Sequence, residues 1–207
     1  MPDAGATWEL RLAMSSPKAL VIRTAGINSE VELCRAFELA GARVELLHLD
    51  RLMAQPSRIA AFDLIGRPGG FSYGDDVASG RIMAMHMRQK LLPELRKAAQ
   101  RGVPMIGICN GFQILCEAGL LPGALIRNAS LKFQSESVWM RVERTDTLFT
   151  RDYAAGQRLR IPMAHAEGNF RADPETLKRI EGENCVLFRY VDRHGGASPE
   201  GNPNGTM

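Results

Sequence analysis

Short apolar runs alternate with longer amphipathic stretches along the first half of the chain. Each run is too short for a helix and therefore predicts a buried strand. The runs are residues 19–22, 44–49, 62–65 and 105–108. The stretch from Ser79 to Gln100 has helical spacing and is predicted to break or kink at Pro93. Strands that alternate with helices predict right-handed crossovers and a parallel sheet, so we expect an α/β fold.

The first helix is predicted to begin with a capping box. Ser29 stands three residues before Glu32, the spacing at which each side chain bonds the other residue's backbone N–H. Gly41 is predicted to end this helix.

The pattern changes after Pro122, where apolar segments are separated by polar loops. Strands are predicted at 137–142, 158–163 and 185–190, with a short helix after Asp173-Pro174. Because the sequence contains no evident linker, we expect one domain over residues 17–207. Residues 1–16 are expected to be a flexible N-terminal extension.

Composition excludes several classes of protein. Hydrophobic residues make up 45% of the chain and charged residues 24%, which are globular values. A net charge of +3, scattered along the chain, argues against a nucleic-acid partner. The apolar runs are shorter than the ~20 residues of a membrane span, and residues 1–16 do not have the pattern of a signal peptide.

The cysteines indicate a reducing environment. They lie far apart and include no Cys-x-x-Cys pair, so we expect free thiols, no metal site and a cytoplasmic location. They are Cys34, Cys109, Cys116 and Cys185.

One of these cysteines stands at a predicted strand–turn–helix junction. Cys109 directly follows the run 105–108 and is flanked by Gly107 and Gly111. This is the layout of a nucleophile elbow with cysteine in place of serine, since a strained turn needs neighbours without Cβ atoms. The position at a helix N-terminus favours a thiolate. A buried structural cysteine with packing glycines is the alternative that the motif alone leaves open.

A second turn is predicted to lie near this elbow. Pro68-Gly69-Gly70 follows the third predicted strand, as Cys109 follows the fourth. Ligands of open parallel sheets bind outside the carboxyl ends of the strands, so both turns are expected to face one pocket.

Several motifs in order resemble the class I (triad) glutamine amidotransferases, and among them the glutaminase subunits of phosphoribosylformylglycinamidine synthase. The resemblance runs from about Lys18 to Thr206 and implies a flavodoxin-like three-layer sandwich with a mostly parallel central sheet. The motifs are Arg23-x-x-Gly26-x-Asn28, Gly69-Gly-Phe-Ser-Tyr-Gly-Asp75, Gly107-Ile-Cys-Asn-Gly-Phe-Gln113, Asn128-x-Ser130-x-x-Phe133, Ile161-Pro-Met-Ala-His-Ala-Glu-Gly168 and Asn202-Pro-Asn-Gly205.

The resemblance implies a role for each site residue. Cys109 would attack the side-chain amide of L-glutamine and form a thioester, releasing ammonia. The backbone N–H groups of Gly70 and Asn110 would form the oxyanion hole. Gln113 would contact the bound glutamine, and His165 would line the glutamine pocket.

The resemblance also implies partners. Ammonia would pass to a separate synthetase subunit, which uses ATP and magnesium, and a small accessory subunit would complete the complex. No cofactor is expected in this chain, which has neither a P-loop nor a dinucleotide glycine motif.

The chain departs from the family in its expected base. The family's triad His and Glu come from a His-x-Glu stretch after Asn-Pro-Asn-Gly, whereas this sequence stops at Met207. We therefore expect a C-terminally incomplete chain without that pair. His165 and Glu167 imitate the spacing, but the resemblance assigns them to the pocket; a hydrogen-bonded structural histidine is the plainer interpretation. The other histidines, His48, His86 and His194, are expected to be structural or solvated.

Two other functions stay open at this point. One is a non-catalytic, truncated partner that binds the synthetase without glutaminase activity. The other is a different cysteine hydrolase on a similar scaffold.

Overall fold

The computed structural model describes residues 16–75 and 80–206. They fall into two compact units, the first ending at Leu121 and the second beginning at Pro122. The single domain expected over residues 17–207 stays a prediction. The expected N-terminal extension lies outside the described residues, apart from Ser16.

The first unit alternates strands and helices, as the apolar runs predict. Its strands are β1 (Lys18–Arg23), β2 (Arg43–His48), β3 (Leu64–Arg67) and β4 (Met105–Gly107). Its helices are α1 (Glu30–Leu39), α2 (Leu49–Ala54), α3 (Arg81–Lys90), α4 (Leu92–Gln100) and α5 (Asn110–Glu117), with 3-10 segments at Pro56–Ala61 and Ser72–Asp75. The predicted break is confirmed: Pro93 lies in the first turn of α4, where its missing N–H removes no helical bond.

The strands of this unit form one parallel sheet in the order β2-β1-β3-β4. The α/β class and the central parallel sheet are therefore confirmed. Because parallel strands end at the same edge, the loops that follow β1, β3 and β4 start side by side. This topology therefore places the turn after β3 next to the elbow after β4, as the sequence predicts.

Helices cover both faces of the sheet. Gly66 and Arg67 are consecutive residues of β3 and therefore point to opposite faces. A Cβ atom at Gly66 would meet the side chains of Phe37 and Leu33 in α1. A Cβ atom at Gly111 in α5 would meet Arg67, on the other face. The first unit is thus a three-layer arrangement of α1, sheet and α5.

The main apolar core lies on the face that α5 covers. It joins residues of β1 and β3 to residues of α3, α4 and α5, and burying each large side chain stabilises the fold by about 2 kcal/mol. Its members include Leu20, Ile22, Ile65, Met83, Met87, Leu91, Leu95 and Ile114.

The predicted capping box is wrong. Ser29 does precede α1, but its hydroxyl makes no bond to the helix. Instead Ser29 Oγ donates to the carbonyl oxygen of Gly69 at 3.1 Å. The hydroxyl of Ser29 therefore bonds a carbonyl oxygen that is distant in sequence instead of a backbone N–H of α1. This bond connects the loop between β1 and α1 to the turn after β3.

The second unit is rich in antiparallel strands. Strands β6 (Gln134–Val142), β7 (Arg158–His165) and β9 (Phe188–Val191) form a sheet in the order β7-β6-β9. Strands β5 (Ala124–Ile126) and β8 (Asn169–Arg171) form a separate pair. The helix predicted after Asp173-Pro174 is α6 (Pro174–Gly182), and Asp173 caps it by accepting from the N–H of Thr176 at 2.8 Å.

None of the helices within residues 16–75 and 80–206 is both long enough and apolar enough to cross a bilayer.

Candidate active site

Cys109 has the geometry of a nucleophile elbow. It directly follows β4 and precedes α5, with φ 53° and ψ −115°. Positive φ strains a residue other than glycine, and such strain concentrates at functional sites. The thiol-bearing residue is exposed. These observations confirm the predicted strand–turn–helix junction and remove the alternative of a buried structural cysteine.

The glycines on either side of Cys109 allow helix α5 to pack closely on the sheet. A Cβ atom at Gly107 would lie 2.6 Å from Cδ1 of Leu115. A Cβ atom at Gly111 would lie 2.1 Å from the carbonyl oxygen of Arg67. Both distances are shorter than any van der Waals contact, so packing requires glycine at each position.

The turn after β3 contacts the elbow directly. A Cβ atom at Gly69 would lie 3.1 Å from Cβ of Cys109. Gly70 has φ 142°, and a Cβ atom there would lie 2.7 Å from both the carbonyl oxygen of Gly26 and Cα of Ile27. The loop after β1 thus excludes a side chain at Gly70. The two turns that the sequence predicts to face one pocket are neighbours.

The backbone N–H of Gly70 makes no hydrogen bond within its bridge to the loop after β1. Ile27 and Gly70 form an antiparallel bridge. Its hydrogen bonds run from Asn28 N to Gly69 O, at 3.3 Å, and from Phe71 N to Gly26 O, at 2.8 Å. They flank Gly70 and leave its own N–H out of the bridge, as an oxyanion donor requires.

Asn110 and Gln113 lie inside the first turn of α5. Asn110 is completely buried, at 0% exposure. Its Oδ1 accepts from the N–H of Ser72 at 3.3 Å, and its Nδ2 donates to Oε1 of Gln113 at 3.0 Å. The sequence reasoning gave Asn110 only a backbone role and missed its side chain. The predicted contact of Gln113 with glutamine stays a prediction.

Arg67 is a second residue that the sequence reasoning missed. Its side chain is fully buried, and Nη2 donates to Sδ of Met83 at 3.0 Å. Within residues 16–75 and 80–206, Nε and Nη1 have no acceptor. Burial lowers the pKa of Arg67 to about 9. An arginine at the end of an apolar strand gives no signal of burial, because arginine is mostly exposed in proteins.

His165 lies in the second unit and takes part in a hydrogen-bond network around Asn128. Oδ1 of Asn128 lies 2.9 Å from Nδ1 of His165 and accepts from Gly168 N at 3.2 Å and from Asn204 Nδ2 at 3.1 Å. Since this oxygen can only accept, His165 carries its proton on Nδ1. Desolvation lowers the pKa of His165 and favours the neutral ring. These contacts match a structural histidine, and its predicted place in the glutamine pocket stays a prediction.

Two of the other histidines have structural contacts. Nδ1 of His48 accepts from the N–H of Asp50 and caps α2, and the ring of His86 lies 5.9 Å from that of Tyr73. His194 lies in an exposed turn. Over residues 16–75 and 80–206, no group of three or more His, Cys, Asp and Glu residues could hold a metal ion.

Two known proteins with similar sequences carry the same name. The phosphoribosylformylglycinamidine synthase subunit PurQ of Bradyrhizobium diazoefficiens is 47% identical over 189 residues, covering 91% of this chain and 78% of that protein. The subunit of the same name from Thermus thermophilus is 45% identical over 188 residues, covering 90% and 78%.

A solved structure has a similar fold as well. A chain of PurLQS from Thermotoga maritima superposes with a TM-score of 0.71 at 36% identity, covering 86% of this chain and 76% of that one. The sequence model of the CobB/CobQ-like glutamine amidotransferase domain matches residues 16–207. The chain therefore belongs to the family of CobB/CobQ-like glutamine amidotransferase domains.

Proposed function

We propose that this chain is the glutaminase subunit of a phosphoribosylformylglycinamidine synthase. It hydrolyses L-glutamine to glutamate and ammonia for purine biosynthesis. The observation that carries the proposal is the Gly69–Gly70 turn in contact with Cys109 at a nucleophile elbow. Membership of the glutamine amidotransferase family supports glutamine hydrolysis as the reaction. The similarity to proteins named PurQ supports phosphoribosylformylglycinamidine synthase as the enzyme to which the subunit belongs.

The first half of the reaction forms a thioester. The thiolate of Cys109 attacks the side-chain amide carbon of glutamine, and the carbonyl oxygen becomes an oxyanion. The N–H groups of Gly70 and Asn110 donate to that oxyanion, and each such donor is worth about 3–4 kcal/mol of transition-state stabilisation. The C–N bond then breaks, and ammonia leaves with the proton that the thiol gave up.

The second half releases the products. Water adds to the thioester carbon through the same oxyanion site, the C–S bond breaks, and glutamate leaves while the thiol is restored. In both halves the N-terminus of α5 favours the negative charge of the oxyanion. Among the remaining site residues of the first unit, Gln113 contacts the bound glutamine.

The ammonia is used by a partner. We place a synthetase subunit with ATP and magnesium beside this chain, together with a small accessory subunit; the similarity to a chain of PurLQS supports this assembly. This chain requires no cofactor of its own for the hydrolysis. The cytoplasm suits it, since the four cysteines are free thiols.

The test uses the complex of this chain with the synthetase subunit of the same organism. Cys109→Ser is expected to abolish amidine synthesis from glutamine and to leave synthesis from added ammonium unchanged, because only the ammonia supply is lost. Loss of both activities would contradict a role confined to ammonia supply.

A non-catalytic binding partner is the second candidate. One observation favours it. His165, whose spacing to Glu167 imitates that of the family's triad pair, is hydrogen-bonded to Asn128 in the second unit. A glutamine-like chloroketone distinguishes the candidates, since a competent site becomes alkylated at Cys109. A complex that neither releases ammonia nor is labelled at Cys109 supports the non-catalytic partner. Labelling without ammonia release supports a different cysteine hydrolase.

A further inference from the structure

We infer that the side chain of Asn110 is a positioning residue that fixes the distance between the two donors of the oxyanion hole. This inference rests on the proposed function, because it concerns the reaction at Cys109. It assigns to the side chain a task separate from that of the Asn110 backbone N–H.

The side chain connects the chain segments that carry the two donors. One donor is the N–H of Asn110 itself, in the first turn of α5. The other is the N–H of Gly70, and Ser72 lies two residues further along the same loop. The bond from Ser72 N to Asn110 Oδ1, at 3.3 Å, therefore ties the loop of the second donor to the residue that supplies the first.

The orientation of the Asn110 amide is set by its neighbours. The backbone N–H of Ser72 can only donate, so the Asn110 atom that faces it must be oxygen. Nδ2 then faces Gln113, whose Oε1 accepts at 3.0 Å. Gln113 is only 9% exposed, so its side chain is held in place by packing. The conformation of Asn110 is thus fixed at both ends of its amide.

The opposite side of the same loop is held by the loop after β1. Phe71 N donates to Gly26 O at 2.8 Å, and Tyr73 N donates to Ala25 O at 2.9 Å. Ser72 lies between these residues and is 2% exposed, and its hydroxyl has no partner among the residues that the structure describes. Without the side chain of Asn110, the N–H of Ser72 would be buried without this acceptor, which is unfavourable. The loop would then move toward water or toward the loop after β1, away from the elbow.

Such a movement affects catalysis more than binding. Oxyanion donors act at about 2.7–3.1 Å from the developing charge, and a misplacement of about 1 Å costs on the order of 100-fold in rate. Substrate binding does not require the oxyanion, so the Michaelis constant for glutamine is expected to change little.

The test compares Asn110→Ala with the wild type in the complex with the synthetase. We expect kcat for glutamine hydrolysis to fall about 100-fold, with KM within about twofold. Alkylation of Cys109 by iodoacetamide, followed on the Cys109 peptide by mass spectrometry, is expected to keep its rate. That reaction displaces iodide at a saturated carbon and forms no oxyanion.

A second variant supplies a pH profile. Asn110→Asp has the same shape, and in its protonated form it can accept from Ser72 and donate to Gln113 as asparagine does. Complete burial raises the pKa of a carboxyl group by more than the N-terminus of α5 lowers it. The ratio of the kcat of Asn110→Asp to that of the wild type is therefore expected to rise between pH 8 and pH 6. This variant also carries the test if Asn110→Ala does not fold.

Leu95→Val is the control for stability loss. Leu95 is buried in α4, outside the proposed site, so this variant is expected to lower the melting temperature without lowering kcat.

Three results overturn the inference. Turnover by Asn110→Ala within twofold of the wild type removes it, as does a fall in the alkylation rate that parallels the fall in kcat. A kcat ratio of Asn110→Asp that does not rise at lower pH contradicts it. A wild-type complex that releases no ammonia from glutamine instead overturns the proposed function.

Discussion

Nη2 of Arg67 lies 3.0 Å from Sδ of Met83, and within the described residues this thioether is the one acceptor assigned to the buried guanidinium. Sulfur is a weak acceptor, so the residues that the structure describes leave this charge largely uncompensated. Removing an uncompensated buried charge is expected to stabilise a fold when the replacement fits the space.

Arg67→Leu is therefore expected to raise the free energy of unfolding by about 2 kcal/mol. The folded state lowers the pKa of Arg67 to about 9, so the unfolded chain binds this proton more readily. The wild type gains stability as pH rises through that value, and its deficit relative to Arg67→Leu is expected to shrink. Urea denaturation between pH 7 and pH 10 measures both effects.

Arg96→Leu is the matched control, because Arg96 is exposed on α4. It removes the same charge and is expected to change stability by less than about 0.5 kcal/mol. A wild type more stable than Arg67→Leu at pH 7 would contradict the view of Arg67 as an uncompensated charge.

Gly70→Ala is expected to disrupt the turn beside Cys109. At φ 142° the added Cβ would lie 2.7 Å from backbone atoms of Gly26 and Ile27, and backbone atoms cannot rotate away. We expect a stability loss of about 1–3 kcal/mol from strain, with a fall in glutamine hydrolysis of at least about 100-fold. Melting temperature and ammonia release provide the readouts.

Gly102→Ala separates the effect of positive φ from that of the close contact. Gly102 has φ +77° and would place its Cβ with nothing within 4 Å. It is expected to lose about 1 kcal/mol of stability and to keep full turnover. Equal turnover in the two variants would show that the turn at Gly70 has no part in the reaction.

Asn128→Ala is expected to destabilise the second unit. The amide of Asn128 donates at 2.8 Å to the carbonyl oxygens of Lys132 and His165, while its oxygen accepts from the donors around it. Removing it leaves several polar groups without partners, and we expect a loss of about 3 kcal/mol in urea denaturation. Ser135→Ala, at an exposed position of β6, is the control. A stability loss as small as that of Ser135→Ala would show that the hydrogen bonds of Asn128 do not stabilise the second unit.

The stability of the second unit is expected to fall with acid through His165. Desolvation lowers its pKa from the usual 6.5, so the unfolded chain takes up the proton first as pH falls. The contribution of the neutral ring is present above about pH 6.5 and is lost as pH falls below it. His165→Asn keeps a donor toward Asn128 but does not titrate.

The stability difference between the wild type and His165→Asn should therefore narrow between pH 7 and pH 5 in urea denaturation. His194→Asn replaces a histidine in an exposed turn and controls for the substitution itself. A difference that stays constant, or widens in acid, would show that His165 does not titrate as its surroundings require.

Much of the first unit was predictable because its strands are continuous apolar runs between helical segments. The elbow at Cys109 was predictable for a similar reason, since glycines at fixed local spacing mark it. Strands β5 and β8 were missed because three residues are too few to show a period. Strand β4 is as short, but the apolar run 105–108 and the glycine-flanked Cys109 that follows it mark its position. The capping box at Ser29 failed because the hydroxyl bonds Gly69 instead, forty residues away in sequence.

The missed parts of the site share that cause. Asn110 is bonded to Ser72, and Arg67 to Met83, across separations of 38 and 16 residues. No local sequence pattern predicts these contacts, because they depend on the order in which the strands pair in the sheet. Periodicity therefore locates the nucleophile but not the side chains that surround it.

The loops that support Cys109 also determine when the site can form while the chain is being synthesised. The Gly26–Ile27 segment, the Gly69–Gly70 turn and the elbow follow three different parallel strands, so they meet only after β1, β3 and β4 have paired. Parallel pairings of this kind close large loops and form slowly. A growing chain on the ribosome thus carries no assembled thiol site until α5 has emerged. The reactive centre is completed with the sheet, and a partly made chain has no means of consuming glutamine.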